Sequence, residues 1–228
     1  MATFANKVIA FNRSLDFKGV LPKGIRIMNP YKQADALKSA TAFYNKYYND
    51  DRPRRLILGI NPGRFGGGIT GIPFTDPKKL IEKCGINFTG PLKHEPSSVF
   101  IYDMIDAFGG PEAFYKKFYI SSICPLGFTS AGSNGREVNY NYYDSSALQS
   151  AVYNFMLESI KKQLRFGLDN TTVFCFGTGK NDRFIRKFNE EHKLFAKLVA
   201  LEHPRYIMQY KQKEKAKYIG KYLAAFAE

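Results

Sequence analysis

Four short apolar runs set the fold of this chain: Arg55 to Ile60 (RLILGI), Phe118 to Cys124 (FYISSIC), Thr171 to Gly177 (TTVFCFG) and Lys197 to Pro204 (KLVALEHP). Their length and composition fit buried strands, and helical patterns separate them. A Ser-capped segment with apolar spacing of three and four begins at Ser97, and a longer amphipathic one begins at Asp144 and ends in basic residues. Another opens near Asp182. Strands alternating with helices imply right-handed crossovers and a mostly parallel sheet covered on both faces. The expected fold is an α/β three-layer sandwich around a central four-stranded, mostly parallel sheet.

Each run ends in a polar or glycine-rich exit: Asn61 after the first, Ser121 and Ser122 near the end of the second, Gly177-Thr178-Gly179-Lys180 after the third, and His203 at the fourth. In open α/β sheets the ligand crevice lies beyond the carboxyl ends of the strands, so these groups are expected on one rim. No linker-like stretch divides the 228 residues, which reads as a single domain over 1–228. The stretch Thr129 to Asp144 reads as a long polar loop rich in Asn and Tyr.

Lysine and arginine outnumber the acids 34 to 20, for a net charge of +14, which favours a polyanionic partner. Cys84, Cys124 and Cys175 are scattered, and His94, His192 and His203 are dispersed, so neither a disulfide framework nor a metal site is expected. Lys7 and Arg13 interrupt the apolar residues of the N-terminus, and no run approaches the ~18 apolar residues of a membrane span. A monomer in the reducing cytoplasm is the expectation.

The segment Asn61 to Phe74 is the least ordinary part of the chain. Gly63, Gly66, Gly67, Gly68 and Gly71 lose much backbone entropy on ordering, and close approach of the backbone to a ligand would explain them. No dinucleotide fingerprint follows the strand. The Gly179-Lys180 pair fails as a phosphate loop, with Phe174 where the first glycine belongs and Asn181 where Ser or Thr belongs. Asp76, two residues past Phe74, suits a surface or helix-capping role better than a catalytic one.

Gly59-Ile60-Asn61-Pro62-Gly63, then Phe65-Gly66, then Thr70-Gly71-Ile72-Pro73-Phe74, resembles in order and spacing the first active-site motif of the single-strand-selective monofunctional uracil-DNA glycosylases. Cys124 to Gly135 is similar to that family's middle block, and His203-Pro204-Arg205 to its second active-site motif. The resemblance covers roughly Arg55 to Tyr210. It implies a DNA glycosylase without metal or cofactor that removes extruded uracil, with single-stranded or double-stranded DNA as partner. It assigns Asn61 to orient the attacking water and His203 to donate to uracil O2. Ile60, Gly63, Phe74 and Ser122 would surround the base, with Phe74 as its stacking face and Gly63 beside the pyrimidine 5-position. Arg205, Tyr206 and Ile207 occupy the place of the wedge that fills the vacated stack, and Gly177 and Lys180 would face DNA.

Ser122 departs from the pattern, since the family carries an asparagine there. An amide fork offers donor and acceptor in fixed geometry, whereas a hydroxyl offers one rotatable O–H. The expected base range therefore extends to other deaminated bases, with xanthine and hypoxanthine the candidates. The basic run from Arg205 to Lys221, interleaved with tyrosines, suits phosphate contacts. Two alternatives stay open from sequence: a non-catalytic single-stranded nucleic-acid binder that retains the pocket, and a hydrolase of free nucleosides.

Overall fold

The computed structural model describes residues 2–227. In chain order the elements are α1 (Phe4–Ser14), β1 (Ile25–Met28), α2 (Ala34–Tyr47), β2 (Arg54–Gly59), α3 (Gly67–Thr70), α4 (Pro77–Cys84), α5 (Pro96–Phe108), α6 (Pro111–Tyr115), β3 (Phe118–Ser122), β4 (Gly127–Ala131), β5 (Glu137–Tyr140), α7 (Ser146–Leu164), β6 (Leu168–Phe176), α8 (Lys180–His192), β7 (Lys197–Leu201), α9 (Pro204–Tyr210) and α10 (Lys215–Ala227). The four expected strands form one sheet in the order β3-β2-β6-β7. Every neighbouring pair in it is parallel. Helices flank the sheet, as the alternating pattern requires.

Strand β2 lies inside the sheet, and Leu56, Ile57 and Leu58 are fully buried. Burial on both faces explains why this strand reads as a continuous apolar run without polar alternation. Several helices start where a side chain accepts from a free backbone N–H group. Thr3 caps α1, Asp76 caps α4 and Ser145 caps α7.

The segment read as a long polar loop is ordered differently. Most of it forms a hairpin of β4 and β5, and β1 pairs with β4 to complete a second, antiparallel three-stranded sheet. Strand β5 is only four residues long and half exposed, so its Val138 and Tyr140 alternation is too brief to mark a strand in sequence. The basic run after His203 is also structured, into α9 and α10.

At the start of β2 the side chain of Arg54 is fully buried. Its Nε donates to the Tyr115 carbonyl at 2.8 Å, Nη1 to Asp50 Oδ1 at 2.8 Å and to the Arg52 carbonyl at 3.0 Å, and Nη2 to the Tyr47 carbonyl at 3.2 Å. The guanidinium also lies 4.9 Å from the Phe4 ring centre and 4.6 Å from that of Tyr48. One cation thus joins α1, the end of α2, β2 and α6. Arg54→Met, which leaves these carbonyls and Asp50 without their donor, is expected to lower unfolding free energy by about 3–5 kcal/mol. Urea unfolding of both proteins measures it, and a loss below about 1 kcal/mol would deny Arg54 this role.

Candidate active site

A cavity of about 450 Å³ opens across the carboxyl ends of all four parallel strands, within the range of small-molecule sites. Ile60, Asn61, Gly63, Phe74, Ser122, Gly177, Lys180, His203, Arg205 and Tyr206 all line it. The rim expected from the strand exits is therefore one site.

Phe74 lies at its base with a left-handed backbone, φ 53°, a strained conformation for a residue with a large side chain. Its ring centre stands 5.6 Å from that of Phe176 and 5.6 Å from that of His203. A Cβ on Gly59 would come within 3.1 Å of the same ring. The glycine inside β2 thus makes the seat on which Phe74 rests.

Asn61 is held at both ends of its amide. Nδ2 donates to the Tyr140 carbonyl at 3.3 Å, and Oδ1 accepts from the Tyr142 N–H at 3.2 Å. Turning the amide over would set donor against donor, so the network fixes its orientation. Oδ1 keeps a second lone pair for a further donor. The Arg64 N–H also donates to Asn139 Oδ1 at 3.0 Å, so the β4–β5 hairpin and the loop after it clamp the loop that follows β2.

His203 is the N-cap of α9, where its Nδ1 accepts from the Arg205 N–H at 3.1 Å. That bond assigns the ring proton to Nε2, which is left as a donor. Loss of solvation, with a smaller contribution from the Arg205 charge, depresses its pKa to about 4. The imidazole is neutral at physiological pH.

Side chains alternate along β3. Ser121 donates to Gln163 Oε1 on α7, whereas Ser122 lines the cavity, and among the described residues its hydroxyl has no hydrogen-bond partner. Gly177, at φ 118°, makes the turn out of β6, and Lys180 opens α8 at the exposed rim, 5.9 Å from the Tyr143 ring centre.

Most of the glycine run serves the protein itself. A Cβ on Gly66 would fall 1.8 Å from Glu95 Oε2, and one on Gly68 would fall 2.6 Å from the Gly63 carbonyl. Gly71 ends α3 at φ 73°. Gly63 faces the cavity, and a Cβ there would stand 3.4 Å from both Asn139 Nδ2 and Glu95 Oε1.

Two corrections concern the DNA side. Ile207 is fully buried in the core, so it cannot be part of a wedge. The exposed groups on α9 are Arg205, Tyr206, Gln209 and Tyr210, the two tyrosines with ring centres 5.6 Å apart. Much of the basic run is engaged within the fold: Lys211 and Lys217 pair with Glu214, Lys215 with Asp103 and Lys221 with Glu202. Asp76 has the expected capping role, with Oδ1 accepting from the Lys79 N–H at 2.8 Å. It is also buried, and Oδ2 accepts from the Glu95 N–H at 2.9 Å and Ser98 Oγ at 2.7 Å.

Sequence reasoning missed Glu95, Asn139, Tyr143 and Tyr210 among the lining groups. Tyr210 stands four residues after Tyr206, the spacing that shares a helix face, and that signal was available. Glu95 lies outside every motif.

A parallel α/β sheet whose carboxyl edge gathers an aromatic ring, an oriented amide and a neutral imidazole around one cavity fits an enzyme acting on a base taken out of nucleic acid. The family model described as the uracil DNA glycosylase superfamily matches residues 45–227, and the chain belongs to that superfamily; it is a DNA glycosylase, a hydrolase of the bond between base and sugar. Its likeness to the crystal structure of wild-type Pedobacter heparinus SMUG2 reaches a TM-score of 0.97 at 62% sequence identity, over 100% of this chain and 98% of that one. No curated protein matches the chain.

Glu95 carries an energetic cost. Loss of solvation, then the neighbouring Asp76 charge, raise its pKa from 4.5 to about 7, with Arg205 opposing. The folded state therefore holds this proton more tightly than the unfolded chain. Stability from this group is full below about pH 4.5 and is lost as pH rises to about 7. Glu95→Gln should accordingly stabilise the protein relative to the parent by about 1–3 kcal/mol more at pH 8 than at pH 4.5. Denaturant unfolding at the two pH values measures this, and an equal difference at both would place the carboxylate in solvent.

Proposed function

We propose that the protein removes uracil, and with it other deaminated bases such as hypoxanthine or xanthine, by stacking the extruded base on Phe74 between Asn61 and His203. The observation that carries this reading is that both polar groups are pre-set by the fold while each keeps one valence free at the same cavity. Asn61 Oδ1 holds the attacking water through its remaining lone pair. His203 donates through Nε2–H to O2 as negative charge collects on the departing base. A neutral imidazole suits this role, because it adds a donor without needing a proton from solution. An amide cannot take up the water's proton as a carboxylate would, so leaving-group stabilisation carries much of the rate.

DNA is met at the rim by Arg205, Tyr206, Tyr210 and Lys180, with tyrosine rings available to stack on bases and cations to meet phosphates. Stacking platforms of this kind suit single-stranded substrates, and the protein works as a monomer in the cytoplasm. Among the described residues no helix is long and apolar enough to cross a membrane. Neither the family match nor the relative favours a non-catalytic binder.

His203→Asn separates capping from chemistry. Asparagine is a good N-cap, so thermal stability should stay near that of the parent, whereas excision should fall about 10²- to 10³-fold. Asn61→Ala should lose at least as much. Single-turnover cleavage of a uracil-containing oligonucleotide, scored as alkali-labile product, measures both, and parent-like rates in either variant would overturn its assigned role.

Ser122→Asn would restore a two-ended fork. It is expected to raise uracil excision relative to hypoxanthine or xanthine excision by about tenfold to a hundredfold. Matched oligonucleotides bearing each base give the ratios. Unchanged ratios would mean that Ser122 does not read the base.

A further inference from the structure

Glu95 has no place in the chemistry assigned to Asn61 and His203, yet its carboxyl group lies in the same cavity. Its oxygens rest against Gly63 and Gly66, two glycines of the catalytic loop whose missing side chains give it room. Among the described residues neither oxygen accepts a hydrogen bond or an ion pair, although its own backbone N–H is tied to Asp76. An unpartnered carboxyl group facing a binding cavity, around which the backbone has been cleared of Cβ atoms, lacks a structural purpose. Both oxygens are open to the cavity, so an occupant of that cavity can meet them.

We propose that Glu95 is a specificity-determining residue of this pocket: its carboxyl group meets the edge of the extruded base beside Gly63 and donates a hydrogen bond to a carbonyl oxygen there. This rests on the reading that the cavity receives a flipped base. A protonated carboxyl group presents an O–H donor beside a carbonyl acceptor, the same pair that a carboxamide presents. It therefore supplies the fork that Ser122 lacks. Uracil, hypoxanthine and xanthine each carry a carbonyl next to a ring N–H, and the acid form matches that edge in both pyrimidines and purines. The carboxylate has acceptors only and opposes the carbonyl oxygen.

The surroundings keep the acid form available. Burial and Asp76 at the start of α4 hold the carboxyl pKa near 7, against the opposing charge of Arg205 on α9. His94, the preceding residue, has Nδ1 3.0 Å from Asp76 Oδ2. His203 lines the same cavity but titrates near 4, below the working range. The catalytic loop contributes glycine backbone, and β5 contributes the neutral Asn139.

The test is single-turnover excision of uracil from a single-stranded oligonucleotide between about pH 6 and pH 9. The parent rate is expected to fall about tenfold per pH unit above about pH 7, as the acid form is lost. Glu95→Gln, which keeps a donor and acceptor but does not titrate, should abolish that fall. Glu95→Ala should slow excision at least tenfold at pH 6, and His94→Gln should leave the fall in place. A flat parent profile, or a fall that persists in Glu95→Gln or disappears only in His94→Gln, would overturn the proposal while leaving the glycosylase reading intact. Absence of uracil excision by the parent at every pH would overturn that reading, and this proposal with it.

Discussion

A positive charge sealed into the protein at the first residue of β2 decides where the central strand begins. Arg54 has no solvent contact to relieve its charge, so its donors must find Asp50 and the carbonyls at Tyr47, Arg52 and Tyr115 together. Those partners come from separated parts of the chain, and only one placement of β2 satisfies them all. A slip of one residue in this strand would reverse which face each side chain meets. Asn61, two residues beyond the strand's end, would then leave the position where the Tyr140 carbonyl and Tyr142 N–H hold it. The geometry of the pocket is thus anchored at the end of the sheet farthest from it.

The pocket unites two kinds of constraint. The parallel sheet brings Asn61, Ser122, Gly177 and His203 to one edge, which any sheet of this topology would do. The antiparallel β4–β5 hairpin then orients what the first sheet has only delivered, gripping Asn61 and Arg64 through Asn139, Tyr140 and the backbone of Tyr142. Placement and orientation are therefore separate tasks given to separate sheets. Enzymes that rely on fixed dipoles rather than on a strong base need the second task done as carefully as the first.

Much of this was legible in the sequence because the signals were strong and local. The apolar runs of the parallel strands are buried on both faces, and each ends in a group with a distinctive chemistry. The hairpin was not legible. Its outer strand, Glu137 to Tyr140, alternates polar and apolar residues over only four positions, too short a run to mark a strand, and its role depends on contacts about eighty residues away in sequence. The glycines were seen, but their reasons belong to tertiary contacts: Gly59 seats a phenylalanine ring and Gly66 admits a glutamate. Glu95 itself could not be found from pattern, since a carboxylate preceding Pro96 reads as a helix-entry residue. The basic run was overread because sequence shows charges without their partners, and Lys211, Lys215, Lys217 and Lys221 have partners within the fold.

The bond from Arg205 to His203 has a mechanical side. It fastens the imidazole to the first turn of α9, a helix of only seven residues whose outer face carries Tyr206 and Tyr210. Imidazole and tyrosines therefore share one short element. The helix, anchored by the buried Pro204 and Ile207, thus carries on one short body both the imidazole at the cavity and the exposed tyrosine pair at its rim.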